Sequence, residues 1–93
     1  GEMGHAVGRE LAGVALRHQV ICITHLPQVA VYGTAHYAVT KSVREGRTVS
    51  QVERLAAEAR AGEIARMLGG DPTSRASRDH AVEMLAAARR KRT

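Results

Sequence analysis

A short apolar run followed by a Thr-His-Leu-Pro-Gln motif constrains the fold of this chain more than any other feature. The run Val20 to Ile23 has helix-like sequence before it and polar residues after it, which predicts a strand covered on both faces. Such strands lie in the middle of α/β sheets, whose ligands bind beyond the carboxyl ends of the strands. Thr24 and His25 fall at that end, and Pro27 to Tyr32 is predicted to form a short helix. The sequence therefore predicts an imidazole held on a stiff frame at the rim of a sheet.

The His25 ring is the candidate chemical group of the motif. An imidazole can donate one N–H to an anionic oxygen while a backbone group sets its tautomer. Contact with a phosphate suits His25 better than metal binding, because no second ligand lies at a useful spacing. A packed or solvated turn residue is the alternative that position alone allows. Cys22, the only cysteine, lies in the apolar run and is predicted to be a small buried hydrophobe.

Three sequence runs resemble one family. They are VICITHLPQVA at 20–30, HYAVTK at 36–41 and EIARMLGG at 63–70. The three runs resemble the C-terminal part of the RecN family of bacterial DNA repair proteins. They occur in the same order as in that family and are separated by similar numbers of residues. That family is related to the structural-maintenance-of-chromosomes (SMC) ATPases within the ABC superfamily. The resemblance covers essentially the whole chain, and its T-H-L-P-Q core is far more specific than an isolated nucleotide-binding glycine pattern.

The resemblance implies an α/β fold, namely the C-terminal lobe of an ABC/SMC-type P-loop ATPase head. This lobe would contain a buried strand with flanking helices, a β-hairpin and two C-terminal helices. Residues 1–93 would form a single partial domain downstream of the Walker B strand and the D-loop, with Gly1 at or just beyond the end of that loop. Because the chain opens without a starting Met, we expect it to be cut from something longer.

The same resemblance implies a role for three residues. In the family, the histidine of the H-loop contacts the γ-phosphate of ATP and helps to hold the attacking water, and the motif match carries this role onto His25. Thr24 is expected to shape the loop and Gln28 to orient it. The implied cofactor is ATP, with Mg²⁺ held by parts of the head absent from this chain. The implied partners are an N-terminal lobe with Walker A, a second head in a homodimer, and DNA in double-strand break repair and recombination.

The residues themselves exclude an independent ATPase. The sequence has neither a phosphate-cradling glycine loop with Gly-Lys-Ser or Gly-Lys-Thr nor a strand that ends in Asp-Glu. Phosphoryl transfer requires the triphosphate and its metal to be fixed as well as the water. We therefore expect no ATP hydrolysis by this chain alone, and we expect no metal site.

The charge balance leaves a second function open. The net charge is +5, with twelve arginines and two lysines. This charge is equally consistent with an anionic partner and with a solvated basic surface. A small basic DNA-binding module without a nucleotide role is the alternative reading, and passive structural support for a head is a third. No apolar run approaches the ~20 residues that span a bilayer, and these residues contain no signal-peptide pattern. The expected location is the bacterial cytoplasm, in association with the nucleoid.

Local patterns predict the remaining elements. Helical spacing of apolar residues predicts a helix from about Glu2 to Leu16, in which Gly4 and Gly8 permit close approach of another backbone. Strands are predicted over 36–43 and 48–55, with a tight turn at 45–47. The hairpin cations are either DNA contacts or solvated; they are Lys41, Arg44, Arg47 and Arg54.

Two further helices are predicted after the hairpin. Ala61, Ile64, Ala65 and Leu68 form the apolar stripe of the first, which Gly69 and Gly70 terminate. Ser74 or Ser77 is predicted to cap the second. Its apolar face consists of Ala81, Met84, Leu85 and Ala88. The basic residues 89–92 are expected to complement the helix dipole and then to fray into solvent.

Overall fold

A computed structural model describes residues 2–92, which form four helices and one β-hairpin. In chain order the elements are α1 (Glu2–Ala15), α2 (Pro27–Ala30), β1 (Tyr37–Arg44), β2 (Arg47–Arg54), α3 (Ala57–Met67) and α4 (Arg75–Lys91). The first helix, the short helix, the hairpin and the last two helices were all predicted in this order. Gly1, the position expected next to a D-loop, lies outside the described residues.

The hairpin forms because its turn chemistry matches the twist of its strands. β1 and β2 pair antiparallel from Tyr37 opposite Arg54 to Arg44 opposite Arg47. Glu45 and Gly46 connect them with φ angles of 52° and 75°, as in a two-residue type I′ turn. Every hairpin residue except Ala38 is exposed. The hairpin therefore contributes almost nothing to the core, and its apolar side chains face solvent.

Helix α3 ends in a Schellman motif, as its glycine pair predicted. The Gly70 N–H donates to the Ala65 carbonyl at 3.0 Å, and the Gly69 N–H donates to the Arg66 carbonyl at 2.9 Å. Gly69 has a φ of +84°, a conformation that glycine adopts without a steric penalty. The chain then enters α4, where the Ser74 hydroxyl accepts the Ser77 N–H as the helix cap.

The core lies where α3 packs on α4 and α1 packs on α2. The apolar stripe of α3 is buried as predicted, with Ile64 and Ala65 inaccessible to solvent. Ala81 and Ala88 face it from α4, while Met84 and Leu85 are partly buried beside it. The other members of the core cluster come from the first half of the chain; they are Ala12, Val31 and Tyr32.

The predicted buried strand at 20–23 is wrong for this structure. Residues 19–24 have no regular secondary structure, and the side chains of Ile21 and Ile23 are 85% and 98% exposed. Cys22, predicted to be buried, is exposed as well. A central strand needs neighbouring strands on both sides, and in residues 2–92 the two strands pair with each other. The run therefore remains irregular and largely uncovered, without a sheet in residues 2–92 whose rim His25 would occupy.

Candidate functional site at the His25 turn

The turn that carries His25 is ordered by its two neighbours. The Thr24 hydroxyl accepts the Leu26 N–H at 3.0 Å, which closes the backbone around His25. Leu26 is the extended N-cap of α2, and Pro27 occupies the first helical turn and is buried. Proline fits there because its missing N–H would have no helical partner. The Thr24 hydrogen bond and Pro27 therefore give the backbone before α2 a stiff frame even without a sheet.

The His25 side chain is exposed at this turn. Because it lies outside the packed interior, a bulky anion can approach the imidazole from solvent.

Gln28, the third predicted site residue, faces α1. A Cβ added at Gly4 would lie 3.0 Å from the Gln28 Cβ, so the two helices meet closely at this point. One turn later on α1, a Cβ added at Gly8 would lie 2.4 Å from Cδ2 of Tyr32. Gly4 and Gly8 were predicted to permit close approach of another backbone, and the atoms that approach them most closely are side-chain atoms of Gln28 in α2 and Tyr32 in the turn after it. Gln28 consequently helps to seat α2 on α1.

Two arginines hold the other end of α2. Nη2 of Arg60 donates to the carbonyls of Ala30 at 3.0 Å and Gly33 at 2.7 Å. Nη1 of Arg92 donates to the carbonyls of Tyr32 at 3.3 Å and Gly33 at 3.1 Å. Ala30 is the last residue of α2 and its carbonyl also accepts the Gly33 N–H, whereas Tyr32 and Gly33 lie in the turn after the helix. We refer to Arg60 and Arg92, with the carbonyls of residues 30, 32 and 33, as the arginine clamp.

The clamp makes its surroundings electropositive. Burial lowers the pKa of the Arg60 guanidinium, and the nearby charges of Arg92 and Arg89 lower it further. Burial also lowers the pKa of His36, with Arg60 adding to the effect and Glu63 opposing it. His36 is therefore held in its neutral form more strongly than a free histidine. Its Nδ1 is buried without a hydrogen-bond partner among the described residues.

The arginine clamp was not predicted from the sequence. Arg60 and Arg92 are 27 to 60 residues away from the carbonyls that they bind, and no periodicity or local motif links such positions. The expectation that residues 89–92 fray into solvent is wrong, because α4 continues to Lys91 and Arg92 is tied to the turn after α2. Arg92 stays ordered because its guanidinium donates hydrogen bonds to the carbonyls of Tyr32 and Gly33.

A separate concave surface of about 310 Å³ lies between α1, the turn after α2 and α4. Its lining includes His5, Tyr32, His80 and Lys91, and the rings of His5 and Tyr32 meet edge to face with centroids 6.2 Å apart. None of the three predicted site residues lines it. Within residues 2–92, no cluster of three metal-ligating side chains occurs, and no helix is long and apolar enough to cross a membrane.

Comparison with known proteins gives consistent matches. The chain is 49% identical over 84 residues to DNA repair protein RecN of Mycobacterium leprae, which covers 90% of this chain and 14% of that protein. It is 48% identical over 81 residues to RecN of Deinococcus radiodurans and 35% identical over 85 residues to RecN of Bacillus subtilis, covering 87% and 91% of this chain. No protein-family model matches. The chain spans only 14% to 15% of the length of these relatives. Over about nine tenths of its length, the chain is thus related to a segment of the bacterial DNA repair protein RecN, as the T-H-L-P-Q motif indicated.

Proposed function

We propose that this chain is the C-terminal segment of a RecN-like ATPase head that acts in ATP-dependent repair of DNA double-strand breaks. In this proposal His25 is the H-loop histidine that contacts the γ-phosphate of ATP. The observation that carries it is the exposed imidazole on a turn closed by the Thr24 hydrogen bond and Pro27. The likeness to RecN over the same residues supports it.

The rest of the catalytic machinery would come from elsewhere in the head. An N-terminal lobe with Walker A would hold the triphosphate, Walker B would hold Mg²⁺, and a second head would close over the nucleotide. The run at 20–23 supports this arrangement, because its apolar side chains, with Ile21 and Ile23 exposed, suit a strand that pairs within a larger sheet. The assembly would work in the bacterial cytoplasm, on DNA at the nucleoid.

His25 would act by electrostatic stabilisation. A donor directed at charge that develops in the transition state contributes about 3 kcal/mol, or roughly a hundredfold in rate. Thr24 would keep the ring in place through its bond to Leu26, and Gln28 would do so indirectly by seating α2 on α1. Isolated from the other parts, the segment would neither bind ATP tightly nor hydrolyse it.

The test is a chimera in which this chain replaces the matching segment of Deinococcus radiodurans RecN. We expect the chimera to hydrolyse ATP and the His25→Ala form to lose roughly a hundredfold in kcat. His18→Ala is the matched control, because His18 is also exposed but lies before the apolar run. Equal kcat values for the His25→Ala and unsubstituted chimeras would overturn the γ-phosphate role. Salt-sensitive DNA binding by the isolated chain, together with that result, would favour a basic DNA-binding module instead.

A further inference from the structure

The arginine clamp joins α3 and the end of α4 to the C-terminal end of α2 and the turn that follows it, and the His25 turn lies at the other end of the same helix. Arg60 belongs to α3 and Arg92 follows α4, yet both donate to the Gly33 carbonyl, at 2.7 and 3.1 Å. Two cations converge on one backbone atom, although the charge of Arg92 helps to lower the pKa of Arg60. Among residues 2–92, neither guanidinium forms a salt bridge with a carboxylate. Their described hydrogen bonds go instead to the backbone that follows α2.

Hydrogen bonds continue from the clamp back to the His25 turn. The Gly33 N–H donates to Ala30 and the Ala30 N–H donates to Leu26, at 3.1 and 3.0 Å. The Leu26 N–H then donates to the Thr24 hydroxyl at 3.0 Å. These bonds fix the backbone on both sides of His25, and Pro27 restricts it further. A displacement of the turn after α2 would therefore be transmitted to the imidazole.

We propose that Arg60 and Arg92 are positioning residues that set the orientation of His25 through α2. This inference rests on the proposed function of His25. In this proposal Arg92, which follows the basic helix α4, acts on the nucleotide site through the clamp. It does not serve as a solvated or DNA-binding residue. A loss of either arginine would free the turn after α2 while leaving the core between α3 and α4 in place.

The first measurement is amide hydrogen exchange by NMR on the 93-residue chain. In Arg60→Met and Arg92→Met, we expect the Ala30 and Val31 amides to exchange about tenfold faster or more, because their helix loses its anchor. The amides in the middle of α4 should keep their protection. Arg60→Lys should restore part of the protection, since its ammonium can still donate to a carbonyl. Arg66→Met is the control, because Arg66 lies on α3 but bonds to Glu63. Unchanged exchange at Ala30 and Val31 in both methionine variants would overturn the clamp.

The second measurement is ATP hydrolysis by the chimera with Deinococcus radiodurans RecN. We expect Arg60→Met and Arg92→Met to lower kcat about tenfold with little change in KM, and Arg60→Lys to recover part of kcat. A purely structural role would lower the amount of folded enzyme without this recovery. Normal kcat in the arginine variants, together with a large loss in His25→Ala, would overturn the positioning role alone. Normal kcat in His25→Ala would overturn the proposed function, while the exchange data would still report on the clamp.

Discussion

At the scale of single residues, two glycines of the same helix have opposite environments. Gly8 faces the Tyr32 ring so closely that a Cβ would lie 2.4 Å from it, whereas no atom lies within 4 Å of a Cβ placed at Gly13. Alanine at either position would gain up to about 1 kcal/mol in helix propensity. At Gly8 the clash with a buried aromatic ring opposes this gain.

We predict that Gly8→Ala destabilises the chain by about 1 to 3 kcal/mol, because α1 and the turn after α2 must separate. Gly13→Ala should stabilise it by about 0.5 to 1 kcal/mol, since the methyl group enters open space. Urea denaturation followed by circular dichroism measures both changes. If both variants shift the midpoint in the same direction, the close contact between Gly8 and Tyr32 is wrong.

His36 should make stability depend on pH. Burial and Arg60 lower its pKa in the folded state, so the unfolded chain binds a proton more readily. The stability associated with neutral His36 is complete above the ordinary pKa of 6.5 and decreases as the pH falls through the lowered value. We predict that the unsubstituted chain loses more stability between pH 7.5 and 5 than His36→Gln does. Parallel pH curves from urea titrations of the two proteins would contradict this.

At the scale of elements, the hairpin depends on its turn. Glu45 has a φ of 52°, in the left-handed region that favours glycine and asparagine over glutamate. Because the hairpin contributes little to the core, its formation depends mainly on local geometry. The adjacent Gly46, at a φ of 75°, meets the same requirement without strain.

We predict that Glu45→Asn stabilises the hairpin by about 0.5 kcal/mol, because Asn-Gly is a preferred type I′ pair. Cross-strand contacts between Tyr37 and Arg54, measured by NMR, should become more populated. Gly46→Val is the opposing control, since a β-branched residue is strained at positive φ. A loss of cross-strand contacts in Glu45→Asn would show that the turn has another geometry.

At the scale of the whole molecule, some apolar residues are buried and others are exposed, and residue type alone does not distinguish them. Ile64 is inaccessible in the core, whereas Ile23 is 98% exposed. We predict that Ile64→Ala costs about 2 to 5 kcal/mol and that Ile23→Ala changes the stability of the isolated chain by less than about 0.5 kcal/mol. Thermal and urea unfolding of the 93-residue chain measure both. An equal cost at the two positions would contradict the uncovered state of the run at 20–23.

In the chimera with RecN, the same Ile23→Ala substitution provides a test of context. If 20–23 becomes a covered strand in a complete head, the substitution should destabilise the chimera, although it leaves the isolated chain unaffected. Limited proteolysis around residues 19–24 would report the same change, since a paired strand resists cleavage. Cleavage at the same rate in both proteins would contradict pairing of this segment.

The amino-acid sequence by itself determined the features that depend on near neighbours. Helical spacing predicted α1, α3 and α4, and the glycine pair and Ser74 predicted where α3 ends and α4 begins. The T-H-L-P-Q motif located the His25 turn and the relationship to RecN. These features follow from turn chemistry, capping and periodicity, each of which acts within a few residues.

Only the tertiary structure decided the features that need distant partners. The run at 20–23 has the composition of a buried strand, but burial requires neighbouring strands that residues 2–92 do not supply. The sequence alone suggests surface cations at Arg60 and Arg92, yet both donate to carbonyls at the end of α2 and in the turn after it, 27 to 60 residues away. Burial and hydrogen-bond partners depend on which surfaces meet, and a local pattern does not specify that.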